Sequence, residues 1–202
     1  MHLSAEQGKA LVQLARSTLD SFVLRRERGP TTMQNEYLAE KRGVFVTLSL
    51  LEGRERSLRG CIGFPHPTKP LGIAVQEATI AAASEDPRFP PVQSGELSSI
   101  VVEVSILTVP VPVEVRRRQD LPSKVKIGED GLIISTSFTS GILLPQVAVE
   151  HGMGAEEFLS QACMKAGLTP DSWLDESTTV QTFGADIFAE RTPGGDAARV
   201  EL

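Results

Sequence analysis

The chain has 202 residues, 41% hydrophobic and 23% charged, a soluble globular composition long enough to bury a core. Its net charge of −6 and 5% aromatic content argue against a nucleic-acid partner and against stacking platforms for single strands. The two cysteines, Cys61 and Cys163, form no CxxC or Cys/His cluster, so no metal site is expected. No run reaches the roughly 18 apolar residues of a membrane span, and a reducing, cytoplasmic setting is expected.

In chain order, residues 4–28 predict a helix. Ser4 and Gln7 form a capping box, Leu11, Leu14, Ala15, Leu19, Phe22 and Val23 give an apolar stripe, and Gly29-Pro30 is the expected stop. "RGVFVTLSLL" predicts a strand, "EGRERS" a turn, and "LRGCIGF" the return strand of an antiparallel hairpin. "LGIAVQEATIAAASE" predicts an alanine-rich helix ended by Asp86-Pro87. "DPRFPPV" must be irregular because of its three prolines. "IVVEVSILTV" predicts a strong strand, with Pro110 and Pro112 suiting an edge or the strand's exit. "KVKIGEDGLIISTS" predicts a hairpin turning at Glu129–Gly131. "GILLP" predicts a short strand, with Pro145 opening a short helix. "GAEEFLSQACMKAGL" predicts a helix ending at Gly167, "TTVQTFGADIFAE" one last strand, and residues 191–202 a flexible tail. Strands and helices do not alternate, so the expected class is α+β with a mainly antiparallel sheet flanked by helices.

Charge is uneven. Residues 1–60 carry ten basic and seven acidic side chains, and residues 143–202 carry three basic and ten acidic. This gives either two ordinary solvated surfaces or a basic patch, from "LRRERG", "GRERSLRG" and "VRRRQ", that meets an anionic ligand.

The most specific string is "SLRGCIGF". Strict strand alternation puts Leu58, Gly60, Ile62 and Phe64 on the core face and Arg59, Cys61 and Gly63 on the other. A guanidinium beside a thiol favours the thiolate, which is the nucleophile, and free amides there could form an oxyanion hole. Gly60 and Gly63 permit a bulge, or close approach by a ligand or another backbone. Against this, unpaired cysteine is among the most buried residue types and packs as a small hydrophobe. Glu103, inside an apolar strand, needs a partner that Arg59 or Arg88 could supply. Asp86 starts a turn that presents Arg88 from a stiff loop, as an anion clamp or a loop tie. His66 and His151 are candidate bases only if spatially adjacent to Cys61. Cys163, in register with Phe158 and Leu159, reads as core.

These residues resemble a family. "LRGCIG" is the hallmark string of the AMMECR1 domain family, and "GVFVTL", "DPRFPPV", "VVEVSIL", "KIGEDGLII", "GILLPQVAVE", "EEFL" and "IFAE" follow its pattern in order over residues 5–190. The resemblance implies one such domain over residues 1–190, folded as two unequal α+β lobes, the smaller formed by the middle of the chain, with a cleft near the LRGCIG segment. It also implies a pathway shared with a Memo-like or radical-SAM protein partner. The residues matching the family pattern are Arg59, Gly60, Cys61, Gly63, Asp86, Arg88, Glu103 and Pro145. Tryptophans frequent near "EHGM" in related sequences are replaced here by His151 and Met153.

Three readings follow, the third being a plain scaffold for the partner enzymes. In the first, an enzyme or enzyme partner uses Cys61 as nucleophile or acid/base thiol. Arg59 tunes the thiol, Glu103 or Asp86 orients an arginine or shuttles a proton, and Arg59, Gly60, Gly63, Asp86 and Arg88 hold an anionic ligand. In the second, a non-catalytic binding or adaptor module recognises a nucleotide, RNA or partner protein. No P-loop, dinucleotide fingerprint or HExxH is present, so no cofactor is expected.

Overall fold

A computed structural model describes residues 3–29, 35–53 and 55–200. The described residues divide into two compact units, one of residues up to 107 together with 186–200, the other of residues 108–185. The class is α+β, with two mainly antiparallel sheets flanked by helices.

In the first unit, α1 (Ala5–Arg25) starts as the sequence predicts: the Ser4 hydroxyl accepts from the Gln7 N–H, and the Gln7 side chain closes the box. It ends earlier than the expected Gly29-Pro30 stop, because Arg26 turns left-handed (φ 60) as the C-cap. Pro30 lies outside the described residues. A four-residue helix, α2 (Glu36–Ala39), was not foreseen. β1 (Val44–Glu52) and β2 (Glu55–Phe64) form the predicted hairpin, whose turn residue Arg54 lies outside the described residues. α3 (Leu71–Ser84) follows, then an irregular segment, then β3 (Ile100–Leu107).

The predicted last strand is two strands. β7 (Thr179–Phe183) and β8 (Ala185–Glu190) belong to different sheets, broken at Gly184. The expected flexible tail also differs: β9 (Ala197–Arg199) pairs antiparallel with β8. Arg199 reaches the buried Asp186 at 2.6 Å and the Leu3 carbonyl at 2.6 Å. The sheet order is β2-β1-β3-β8-β9, so β3 is central and not at an edge. Pro110 and Pro112 lie past its end, at and beside β4 (Val111–Pro112) of the other sheet.

Alternation in β1 sets the two faces. Val44, Val46 and Leu48 are fully buried, while Phe45, Thr47 and Ser49 are half-buried. The buried set joins Val102, Val104 and Ile106 of β3, Leu11 and Leu19 of α1, and Phe188 of β8 in one core. α3 is apolar around most of its circumference and is buried accordingly, and its alanines allow close approach to the sheet. Each large side chain buried there contributes about 1.5–3 kcal/mol.

In the second unit, the sheet order is β4-β7-β5-β6, with β5 (Gly131–Ser135) and β6 (Ser140–Leu143) as a hairpin. The sequence placed a hairpin turn at Glu129–Gly131. The Lys126–Asp130 turn instead follows a 3₁₀ segment, and the hairpin lies one strand later. Pro145 opens α4 (Pro145–Glu150), as predicted. α5 (Ala155–Lys165) closes where Gly167 takes φ +76 and the Leu168 N–H returns to the Cys163 carbonyl. Cys163 is core, with Phe158, Leu159, Leu132 and Trp173.

Candidate functional site

The site is built on β2, an edge strand. Its pairing with β1 slips between Leu48 and Ser49: Leu48 faces Gly60 and Ser49 faces Leu58. Arg59 is the extra residue of a bulge. This breaks simple alternation in the way the neighbouring glycines permit. Gly60, Ile62 and Phe64 keep the core side, but Leu58 pairs with Ser49 on the opposite face and is 41% exposed.

The bulge also redirects Arg59. Its guanidinium is buried and makes a bidentate pair with Glu96, Nε to Oε1 at 2.6 Å and Nη2 to Oε2 at 3.1 Å. That bond holds the Glu96 carboxyl below its ordinary value. Glu96 Oε2 also accepts from the Gln93 N–H at 2.8 Å, so one carboxylate ties the loop to itself and to the strand. Arg59 therefore does not act on the Cys61 thiol, contrary to the expectation from spacing.

Cys61 is half-buried. Across the sheet it stands opposite Thr47, which stands opposite Glu103, so thiol, hydroxyl and carboxylate form one row over β2, β1 and β3. Thr47 Oγ1 donates to Cys61 Sγ at 3.3 Å. Burial pushes the thiol above its ordinary value, and the Glu103 and Asp86 carboxylates add to this. The Thr47 bond and the Arg88 charge oppose it, less strongly than burial acts. A thiol so placed keeps its proton at neutral pH and is a weak nucleophile. The cation that it senses is Arg88.

Asp86 organises the strand edge. Its buried carboxylate accepts from the Cys61 N–H at 2.8 Å, from the Arg88 N–H at 3.1 Å, and from Arg88 Nε and Nη2 at 2.9 and 2.7 Å. The Arg88 pair, with these backbone bonds, holds Asp86 well below the usual carboxylate range. The Cys61 amide is thus occupied, which leaves one fewer group for an oxyanion hole. An edge N–H capped by a carboxylate also cannot recruit another strand.

Arg88 keeps 54% of its side chain exposed while Asp86 fixes its orientation. The Phe89 ring lies against both arginines, 5.5 Å from the Arg88 guanidinium carbon and 5.8 Å from that of Arg59. Arg59 Nη1 is buried with no hydrogen-bond partner among the described residues.

The glycines have packing reasons. A Cβ on Gly60 would lie 2.2 Å from the Ala82 carbonyl oxygen of α3, and one on Gly63 would lie 2.3 Å from the Phe45 ring. Of the alternatives the glycines left open, close approach of another backbone is the one seen at Gly60, and the Phe45 ring fills the space at Gly63. His66 is exposed in the loop after β2, and the thiol's hydrogen-bond partner is Thr47. His151 caps α4 in the second unit and is also exposed. No group of three or more metal-ligating side chains occurs among the described residues.

The structure therefore brings together Cys61, Asp86 and Arg88 directly, and Glu103 through Thr47. It ties Arg59 to Glu96 instead. Thr47, Glu96 and Phe89 were not singled out from sequence. The Q-x-x-E spacing of Gln93 and Glu96 is the one local signal, a helix-start pattern.

Comparison with known proteins gives a consistent answer. A protein of Thermofilum pendens is 49% identical over 201 residues, covering 96% of this chain and 94% of that protein. One of Thermococcus gammatolerans is 50% identical over 199 residues, covering 98% and 97%. The crystal structure of the uncharacterized protein PH0010 from Pyrococcus horikoshii superposes with a TM-score of 0.93 at 45% identity over 99% of both chains. The AMMECR1 family model matches residues 12–188, and the chain belongs to the AMMECR1 family.

Proposed function

We propose that this chain is a non-catalytic binding or adaptor module, and that the loop from Asp86 to Glu96 on the β2 edge is its recognition surface. The observation that carries this reading is the division of labour around Cys61. Burial holds the thiol protonated, outweighing the Thr47 bond and the Arg88 charge, while Arg59 is tied to Glu96. A thiol enzyme needs the reverse, a cation that outweighs burial and stabilises the thiolate.

The ligand chemistry is anionic. Arg88 is half-exposed, held in a fixed orientation, and backed by Phe89, which suits a carboxylate or phosphate oxygen. The partner class implied by the family resemblance, a Memo-like or radical-SAM protein, would present that group. A free thiol at Cys61, a buried thiol at Cys163, and no described helix long and apolar enough to cross a membrane fit a cytoplasmic setting.

The test has two arms. Alkylation of Cys61 with iodoacetamide, followed by peptide mapping across pH, is expected to show an apparent value above the roughly 8.5 of a free thiol. A value at or below about 7 would overturn the reading in favour of thiolate chemistry. In the second arm, inorganic pyrophosphate is expected to shift the Phe89 backbone amide resonance, next to Arg88, saturably. Cys61→Ala should leave that response intact and Arg88→Ala should abolish it. A response lost with Cys61→Ala would also refute the reading.

A further inference from the structure

A cavity of about 220 Å³ lies along the C-terminal half of α3 in the first unit, lined by Arg28, Phe64, Glu77, Ile80, Ala81 and Glu85. Its apolar wall is Ile80, Ala81 and the Phe64 ring. Its acidic side chains are Glu77 and Glu85. α3 has no basic residue in its last turn and is capped by Glu85, so a carboxylate adds to the partial negative charge of the helix's terminal carbonyls.

The chain already places a cation there. Lys69, from the loop before α3, sets its ammonium 4.6 Å from the centre of the Phe64 ring and bonds Glu77. Arg28 reaches Glu77 from the rim at 3.4 Å. The Lys69 side chain is 42% exposed, so its pair with Glu77 is the kind that water screens and a competitor can replace. With Lys69 swung away, Glu77 and Glu85 outnumber Arg28 around an aromatic face.

We propose that this cavity is a docking site for a lysine side chain of a partner polypeptide. The incoming alkyl stem packs on Ile80 and Ala81. The ammonium takes the place of Lys69 over Phe64 and against Glu77, a cation–π contact backed by a carboxylate. The site does not depend on Cys61 or Arg88.

The experiment is an NMR titration of the isotopically labelled full chain at low salt with Nα-acetyl-lysine methylamide, read at the Ile80 methyl and the Glu85 amide. The expected result is saturable shifts at both. Lys69→Ala should tighten binding by about threefold or more by removing the resident competitor, and Phe64→Leu should weaken it by about two- to fivefold. The norleucine analogue, which lacks the ammonium, should not shift either resonance. Equal response to the norleucine probe would overturn the proposal, as would spermidine binding where the lysine amide does not. So would a Lys69→Ala variant, altered only at a partly exposed side chain, that binds no tighter. Arg88→Ala should leave this titration unchanged, so this site and the anion-binding reading fail separately.

Discussion

Replacing Asp86 by alanine tests the account of the strand edge most directly. The variant removes the acceptor for the Cys61 N–H and both contacts to the Arg88 guanidinium. The Cys61 bond joins a backbone donor to a buried carboxylate and is worth about 1.5–3 kcal/mol. The Arg88 pair is half-exposed on the cation side and adds about 0.5–1 kcal/mol. The expected loss is therefore about 2–4 kcal/mol, read as a lower urea midpoint at unchanged slope. The folded-state value of Asp86 is depressed, so its contribution is fully present above the unfolded value of about 3.9 and is lost as pH falls through the folded one. The gap between wild type and variant should thus be constant near neutrality and narrow below about pH 4. A loss under about 0.5 kcal/mol at pH 7, typical of a plain surface change, would refute the edge-capping argument.

Glu96→Gln should destabilise the chain by about 1–3 kcal/mol at pH 7, because buried Arg59 loses its carboxylate; the difference should shrink as pH falls below the unfolded glutamate value of about 4.3. Gly60→Ala should cost about 2–4 kcal/mol in thermal or urea unfolding, since the Ala82 carbonyl is helix backbone and cannot swing aside. Arg199→Ala should cost about 1–3 kcal/mol and speed amide exchange in β9, because the buried Asp186 loses a cation and the Leu3 carbonyl a donor; unchanged exchange would show that these bonds do not hold the strand.

Much of this protein was legible locally. The capping box of α1, the alanine-rich α3, the β1–β2 hairpin, Pro145 at the start of α4 and the Gly167 stop each follow from residues within a few positions of one another. Separated motifs in the right order also pointed to the family. What only the tertiary structure decided was non-local. The register slip at Leu48 takes Arg59 out of alternation and hands it to Glu96, 37 positions away. The breaking of one apolar run into β7 and β8 follows from two different sheets competing for it, and the terminal β9 exists because β8 offers it an edge. The character of Cys61 turned on the same kind of fact. Flanking glycines and a nearby arginine fit a packed thiol as well as a reactive one. Burial, the Thr47 hydroxyl, and carboxylates from two other segments set its protonation, and those neighbours are brought to it by the fold.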